Sequence, residues 1–176
     1  MAAWTHIAHD ALSLPAGSVT WSSISGSYDH LLIMASVRSD RSSEGDNCRL
    51  GFNGNTTSGD YTHTSLLVNE TAGVTSGRND VQAPTYIGDI NAASNLAETF
   101  SNVKIWVPNY ANTTGFKQAF TQIAHLDNVT TNYYWNLEMD AVLFSEDTAA
   151  IDEVTLYSRV GDFVAYSTFD LYGLTG

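Results

Sequence analysis

Residues 27–39 read SYDHLLIMASVRS, an apolar run with the alternation that is typical of a β-strand. One face carries Asp29, Leu31, Ile33, Ala35 and Val37, and the other carries His30, Leu32, Met34 and Ser36. Because Leu32 and Met34 lie on the second face, the strand is nearly apolar on both sides. A strand of this kind is typical of the centre of a sheet, so we expect a central strand here.

Similar stretches recur along the chain, separated by Gly, Asn, Ser, Thr and Asp clusters that have turn chemistry. The candidates are TWSSI (20–24), CRLGFN (48–53), THTSLLVN (62–69), PTYIGDI (84–90), FSNVKIWV (100–107), NYYWNLEMDAVLF (132–144), EVTLYS (153–158) and STFDLYGL (167–174). The separators include NGNTTSGD (53–60) and TAGVTSGRND (71–80). Residues 116–126 fit either a helix or a strand by spacing, and we favour a strand.

Many short strands without helix–strand alternation predict an all-β sandwich of two antiparallel sheets over residues 1–176, as one domain. The specific form that we expect is a jelly roll of two four-stranded sheets, since closing two sheets over one core hides most strand edges. With 43% hydrophobic residues in 176, the chain can bury a substantial core.

The charge balance is strongly acidic, with 19 Asp and Glu against 7 Lys and Arg, a formal net charge of -12. Such a field repels phosphate backbones, so we expect no nucleic-acid partner. No Lys or Arg precedes Arg38 and no long apolar run occurs. We therefore expect no signal peptide, no membrane span and synthesis in a cytoplasm. The single cysteine, Cys48, alternates in phase with Leu50 and Phe52, which predicts a small buried hydrophobic side chain.

Metal and cofactor chemistry is not predicted. His6 and His9, three residues apart on a predicted strand, are expected to point to opposite faces and so not to act together. His30, His63 and His125 stand alone in the sequence. The loop SDRSSEGDN (39–47) carries Asp40, Glu44 and Asp46, but its spacing departs from known calcium loops and Arg41 sits in it, which favours a solvated loop.

Catalysis is not predicted either. No Gly-x-Ser-x-Gly elbow occurs, and Cys48 is expected to be buried, so a nucleophile is lacking. Glu138 and Asp140 share a strand face and meet the two-carboxylate requirement of glycosidases in residue type only. We expect no enzyme, no catalytic residue and no cofactor.

Aromatic residues are the remaining functional candidates. In KIWVPNYANTTGFKQAF (104–120), Trp106 shares a face with Lys104, opposite the apolar Val103, Ile105 and Val107, and is expected to point away from the core. Pro108 ends the strand, and the following turn is expected to carry Tyr110 outward. The candidate interface residues are Lys104, Trp106, Tyr110, Tyr133 and Trp135. Exposed rings of this kind contact either a partner protein or a sugar.

Three stretches together resemble a family of tailed-bacteriophage virion proteins: 27–63, FSNVKIWVPNYANTTGFK (100–117) and GDFVAYSTFDLYGL (161–174). The shared pattern includes the SYDHL strand entry, the VRS turn, the LGFNG turn with a following Tyr, the WVPNYANT corner and the final TFDLYGL strand. The resemblance covers almost the whole chain. It implies a jelly-roll domain that serves as a head decoration or cement protein, or as a module on tail fibres, and it brings no catalytic residues.

A free-standing domain of this family is similar to decoration proteins, which implies a homotrimer on the outer capsid surface of the virion, with the major capsid protein as partner. A capsid decoration role is therefore the leading expectation. The alternative is a tail or fibre module that recognises host-surface glycans through Trp106, Tyr110 or the Asn/Thr-rich turns. A polysaccharide-degrading enzyme that uses a carboxylate pair is the third.

Overall fold

The computed structural model describes residues 3–69, 73–79, 83–129 and 132–176, with side chains described for all of these except 79, 127–129 and 132–134. Within these ranges the chain forms twelve strands and no α-helix. The strands are β1 (Ala3–Ala11), β2 (Ser18–Trp21), β3 (His30–Val37), β4 (Gly45–Phe52), β5 (Tyr61–Val68), β6 (Val74–Asn79), β7 (Thr85–Asn91), β8 (Ser101–Pro108), β9 (Lys117–Val129), β10 (Asn132–Phe144), β11 (Val154–Ser158) and β12 (Thr168–Thr175). No helix in the described part is long and apolar enough to span a membrane.

The strands form two antiparallel sheets, which confirms the all-β sandwich. The larger sheet has eight strands in the order β1-β12-β3-β8-β9-β10-β5-β6, and the smaller has four in the order β2-β11-β4-β7, counted over the described residues. The expectation of two four-stranded sheets is wrong for the larger one. The strand pairs β9–β10 and β5–β6 continue the ladder beyond β8 and double its width.

The predicted strands all have a counterpart, and residues 117–129 form a strand rather than a helix. The notable miss is β6, Val74–Asn79, which lies in a stretch with turn composition. It pairs with β5 at the edge of the larger sheet, and its described side chains from Val74 to Arg78 are all exposed. An exposed edge strand needs no apolar alternation, so its sequence lacks the usual signal.

The core lies between the two sheets, and β3 contributes centrally to it. This strand pairs with β12 on one side and β8 on the other, and Leu31, Ile33 and Val37 are fully buried. Cys48 is also fully buried, as predicted. On the opposite face of β3, Met34 is 48% exposed. The described residues therefore leave the second apolar face of this central strand partly uncovered.

Candidate functional site on the outer face of the larger sheet

The outer face, by which we mean the side of the eight-stranded sheet turned away from the smaller sheet, carries large apolar side chains in contact with solvent. Alternation along the strands sends one set of residues inward and the next outward, as in β8, where Val103, Ile105 and Val107 are buried. The exposed members on the outer face, among the described residues, are Trp4 (51%), Met34 (48%), Leu66 (39%), Val74 (65%), Phe120 (45%), Trp135 (52%) and Leu137 (44%). Apolar surface spread over neighbouring strands in this way is typical of an interaction site.

Trp106 lies within an aromatic cluster at one end of this face. Its ring centroid is 5.9 Å from that of Trp4 in an edge-on arrangement and 4.9 Å from the His30 ring. His30 is held in place because its Nδ1 accepts a 3.1 Å hydrogen bond from the Asn109 backbone N–H. Phe120 lies directly opposite Trp106 on β9. The prediction that Trp106 points away from the core is confirmed.

Lys104 is exposed on the same face, next to Trp106 along β8. Lys104 is the cross-strand partner of Met34 on β3 and of Gln122 on β9. A shallow groove of about 440 Å³ crosses the face here, and Met34, Lys104, Gln122, Leu137 and Asp170 contribute to its lining. The groove combines an apolar floor with one positive and one negative side chain.

Tyr110 does not belong to this surface, so the expectation that the corner carries it outward is wrong. The side chain is fully buried, and its hydroxyl donates a hydrogen bond to the Ser25 carbonyl. The turn after Pro108 folds the ring back beneath the loop that follows β2. Trp135 is exposed, whereas the side chain of Tyr133 lies outside the described part of the chain.

His6 and His9 come together on the outer face along β1, the edge strand that also carries Trp4. The β1–β12 register shifts between His6 and Ala8, and the extra residue returns His9 to the face that His6 occupies. His6 Nε2 and His9 Nδ1 lie 3.1 Å and 2.8 Å from the same atom, Asp170 Oδ1. The expectation that these histidines point to opposite faces is therefore wrong. A β-bulge of this kind cannot be recognised from the pattern of residues.

The environment of Asp170 is consistent with this arrangement. Partial burial raises the pKa of its carboxyl, but hydrogen bonds from His9 and His6 outweigh that effect and the net pKa is lowered. The His6 ring also packs edge-on against Tyr172, with 5.1 Å between centroids. Both histidines remain about half exposed.

The carboxylate pair of β10 faces the opposite way, into the sandwich. Glu138 is 3% exposed and Asp140 is fully buried. Glu138 Oε2 accepts hydrogen bonds from the Tyr86 hydroxyl at 2.8 Å and the Asp89 N–H at 3.2 Å, and Asp140 Oδ2 accepts one from Thr121 at 3.4 Å. Burial is the main cause that raises the pKa of Glu138. The pKa of Asp140 is raised to about 8, mainly by burial and to a smaller extent by the negative charge of Glu138. A pair enclosed in this way offers no path to a polysaccharide.

The acidic loop at 39–47 is only partly solvated, contrary to expectation. Asp40 and Glu44 are exposed, but Asp46 is fully buried. Its Oδ2 accepts hydrogen bonds from the hydroxyls of Ser39 and Ser158 and from the Gly161 N–H, at 2.9–3.0 Å. The sequence gives no sign of this role, because the donors come from distant parts of the chain. Asp46 joins β4 to the loop after β11 and is a structural carboxylate.

The buried thiol of Cys48 is not a nucleophile candidate. Burial is the main cause that raises its pKa to about 12, which disfavours the thiolate.

Comparisons with protein-family models, with curated proteins and with solved structures gave no significant match. Inferences about function therefore rest on the sequence and on the outer face itself.

Proposed function

We propose that this chain is a bacteriophage head decoration protein, which associates as a homotrimer and binds the outside of the assembled capsid. The observation that carries the proposal is the open apolar outer face of the larger sheet, on a protein with a net charge of -12. Proteins that act as soluble monomers rarely leave aromatic and aliphatic side chains on several adjacent strands in water. A second copy of the same chain is the occupant that we assign to this face.

The strand order supports the jelly-roll part of the proposal. Without the added pairs β9–β10 and β5–β6, the larger sheet reduces to β1-β12-β3-β8, opposite β2-β11-β4-β7. Successive strands from β1 to β4 then alternate between the two sheets, as do β7 and β8, and β11 and β12. Two interlocked four-stranded sheets linked in this way are the framework of a jelly roll.

Self-association is supported by composition as well as by exposure. Aromatic residues and methionine are enriched in protein interfaces. The outer face carries three aromatic residues, Trp4, Trp106 and Phe120, and the flexible side chain of Met34. A symmetric oligomer would bury this patch against its own copies without a need for another partner. The acidic remainder of the surface suits the outside of a shell, away from packaged DNA.

Binding to the assembled shell requires rigidity rather than an active site. A protein that binds only assembled capsomers stabilises them by mass action, because its binding free energy is lost when the shell opens. The sandwich has a continuous buried core that includes residues of both sheets. Its carboxylate pair and its thiol are enclosed in that core.

Electron cryo-microscopy of the virion, with antibody labelling of the protein, tests the location. Density and label on the head surface in groups of three are expected. Label on the tail alone would overturn the capsid assignment. Native mass spectrometry of the purified protein tests the trimer separately, and a monomer at micromolar concentration would contradict it.

Glycan binding at a tail or fibre is the alternative, favoured by Trp106 near an open groove. Sugars stack on free ring faces. Here Trp4 and His30 already pack against Trp106, which is only partly exposed, so little of its ring remains for a sugar. Binding on a glycan array that is lost on Trp106→Ala, with the fold intact, would favour this alternative over the capsid role.

A further inference from the structure

The His6, His9 and Asp170 side chains form a convergent group with a chemistry distinct from the apolar patch. Their ligand-type atoms all lie within 4.8 Å of one another. Imidazole nitrogen and carboxylate oxygen are the donors that Zn²⁺ takes in sites with an open position. The group is built by two neighbouring strands, β1 and β12, so its backbone is fixed by the ladder between them.

The distances fit a metal polyhedron. With metal–ligand bonds of about 2.0–2.1 Å, the ligands of a tetrahedral zinc ion lie about 3.3 Å apart. His6 Nε2 and His9 Nδ1 lie 3.1 Å and 2.8 Å from Asp170 Oδ1, so small side-chain rotations suffice to admit the ion. Both rings present a nitrogen to the same carboxylate oxygen, so the three ligand atoms are already gathered in one place.

The β-bulge at Ile7 is the backbone feature that creates the group. Without it, three residues of regular strand would place His6 and His9 on opposite faces. Bulges commonly re-aim a side chain at a functional position. The Tyr172 ring packs against His6 and limits its rotation. The exposed sides of both rings leave a further coordination position open to solvent.

We propose that His6, His9 and Asp170 bind one Zn²⁺ ion on the outer face of the larger sheet, with the fourth position taken by water or by a donor from another molecule. The site uses only residues of this chain, and it does not depend on the capsid role. Binding requires neutral imidazoles, so metal binding weakens in acid. The ion would fasten edge strand β1 to β12.

Zinc titration by isothermal calorimetry tests the site, on full-length protein without an affinity tag and after chelator treatment. A stoichiometry of one ion per chain is expected for the wild type. His9→Ala and Asp170→Asn are each expected to weaken binding at least about tenfold, since even the outer-shell partners of metal ligands contribute 10–100-fold. The matched control is His30→Ala, which removes a histidine from the same face and should leave the affinity unchanged.

Cobalt substitution gives a second readout that does not depend on heat. The intense visible absorption of tetrahedral Co²⁺ should appear with wild-type protein and with His30→Ala, and should be lost in His9→Ala. Circular dichroism of each variant checks the fold, and both histidines are exposed enough for replacement without a core defect. No zinc binding at sub-millimolar concentration, or equal loss in the His30 control, would overturn the proposal.

Discussion

Glu138 and Asp140 lie on the same inward face of β10, yet their surroundings differ. Glu138 accepts hydrogen bonds from Tyr86 and from the Asp89 backbone, whereas Asp140 Oδ1 has no hydrogen-bond partner among the described residues. Burial and then the Glu138 charge raise the pKa of Asp140 to about 8. The fold therefore encloses a carboxyl that is stabilised in its protonated form.

The first prediction is a loss of stability as the pH rises. The folded pKa of Asp140 lies above the unfolded value of about 3.9, so the folded state binds the proton more tightly. The contribution of Asp140 to the free energy of unfolding should be greatest below about pH 4 and should fall as the pH rises toward 8, by an amount on the order of a few kcal/mol. Asp140→Asn should flatten this slope and be more stable than the wild type above about pH 8.

Urea denaturation across this pH range measures the effect. Asp152→Asn is the matched control, since Asp152 is an exposed carboxylate and its replacement should preserve the wild-type slope. An Asp140→Asn protein with the same pH dependence as the wild type would contradict the assignment. Glu138, whose pKa is also raised by burial, adds a residual slope of the same sign.

The second prediction concerns Asp46 and has the opposite sign. Burial raises the pKa of this carboxyl, but hydrogen bonds from Gly161, Ser39, Ser158 and Asn47 together outweigh it, and the net pKa is lowered. Its stabilising contribution is present above the unfolded pKa of about 3.9 and is lost as the pH falls through the folded value. Asp46→Asn should lower the free energy of unfolding at neutral pH by about 1–3 kcal/mol, because several buried donors lose a charged acceptor.

Chemical denaturation at neutral pH and at about pH 3 tests this. The gap between the wild type and Asp46→Asn should narrow in acid, because the carboxyl of the unfolded wild type takes up its proton at a higher pH than that of the folded protein. A gap that is constant over this range would mean that the charge of Asp46 does not stabilise the fold.

The third prediction separates Tyr110 from the surface aromatics. Tyr110→Phe removes a buried hydroxyl that donates to the Ser25 carbonyl, and should cost about 1 kcal/mol of unfolding free energy. Tyr166→Phe is the control, since Tyr166 is 82% exposed and its replacement should change stability by less than about 0.5 kcal/mol. Neither substitution should alter the oligomeric state measured by native mass spectrometry. A change of oligomeric state in Tyr110→Phe would contradict this prediction and would indicate that Tyr110 contributes to the interface.

The sequence predicted strand positions well because apolar alternation is a local signal. It placed Trp106 outward and Cys48 inward from their neighbours alone, and both positions are confirmed. It also placed Glu138 and Asp140 on one face. It could not tell that this face is the enclosed one, because β10 belongs to strands that widen the larger sheet beyond the expected four.

The misses have a common physical origin in backbone irregularity and long-range contacts. The bulge at Ile7 reverses the side-chain alternation between His6 and His9. A prediction that assumes alternation with a period of two residues cannot reveal such a bulge. Tyr110 follows a strand-ending proline, but its destination depends on the Ser25 carbonyl far away in the chain. The candidate metal group and the burial of Tyr110 therefore required three-dimensional information.

The last prediction tests the outer face as the self-association surface. Phe120→Lys places a charge at a 45% exposed ring opposite Trp106, and burial of that charge in an interface would be costly. We expect the native mass to fall from trimer to monomer. The free energy of unfolding of the monomer should change by less than about 0.5 kcal/mol, because an exposed side chain contributes little to the core.

Val160→Lys is the matched control, an equally drastic change at a 62% exposed loop residue, and should leave the trimer intact. If Phe120→Lys and Met34→Lys both remain trimeric, the copies associate through another surface and the role assigned to the outer face is wrong.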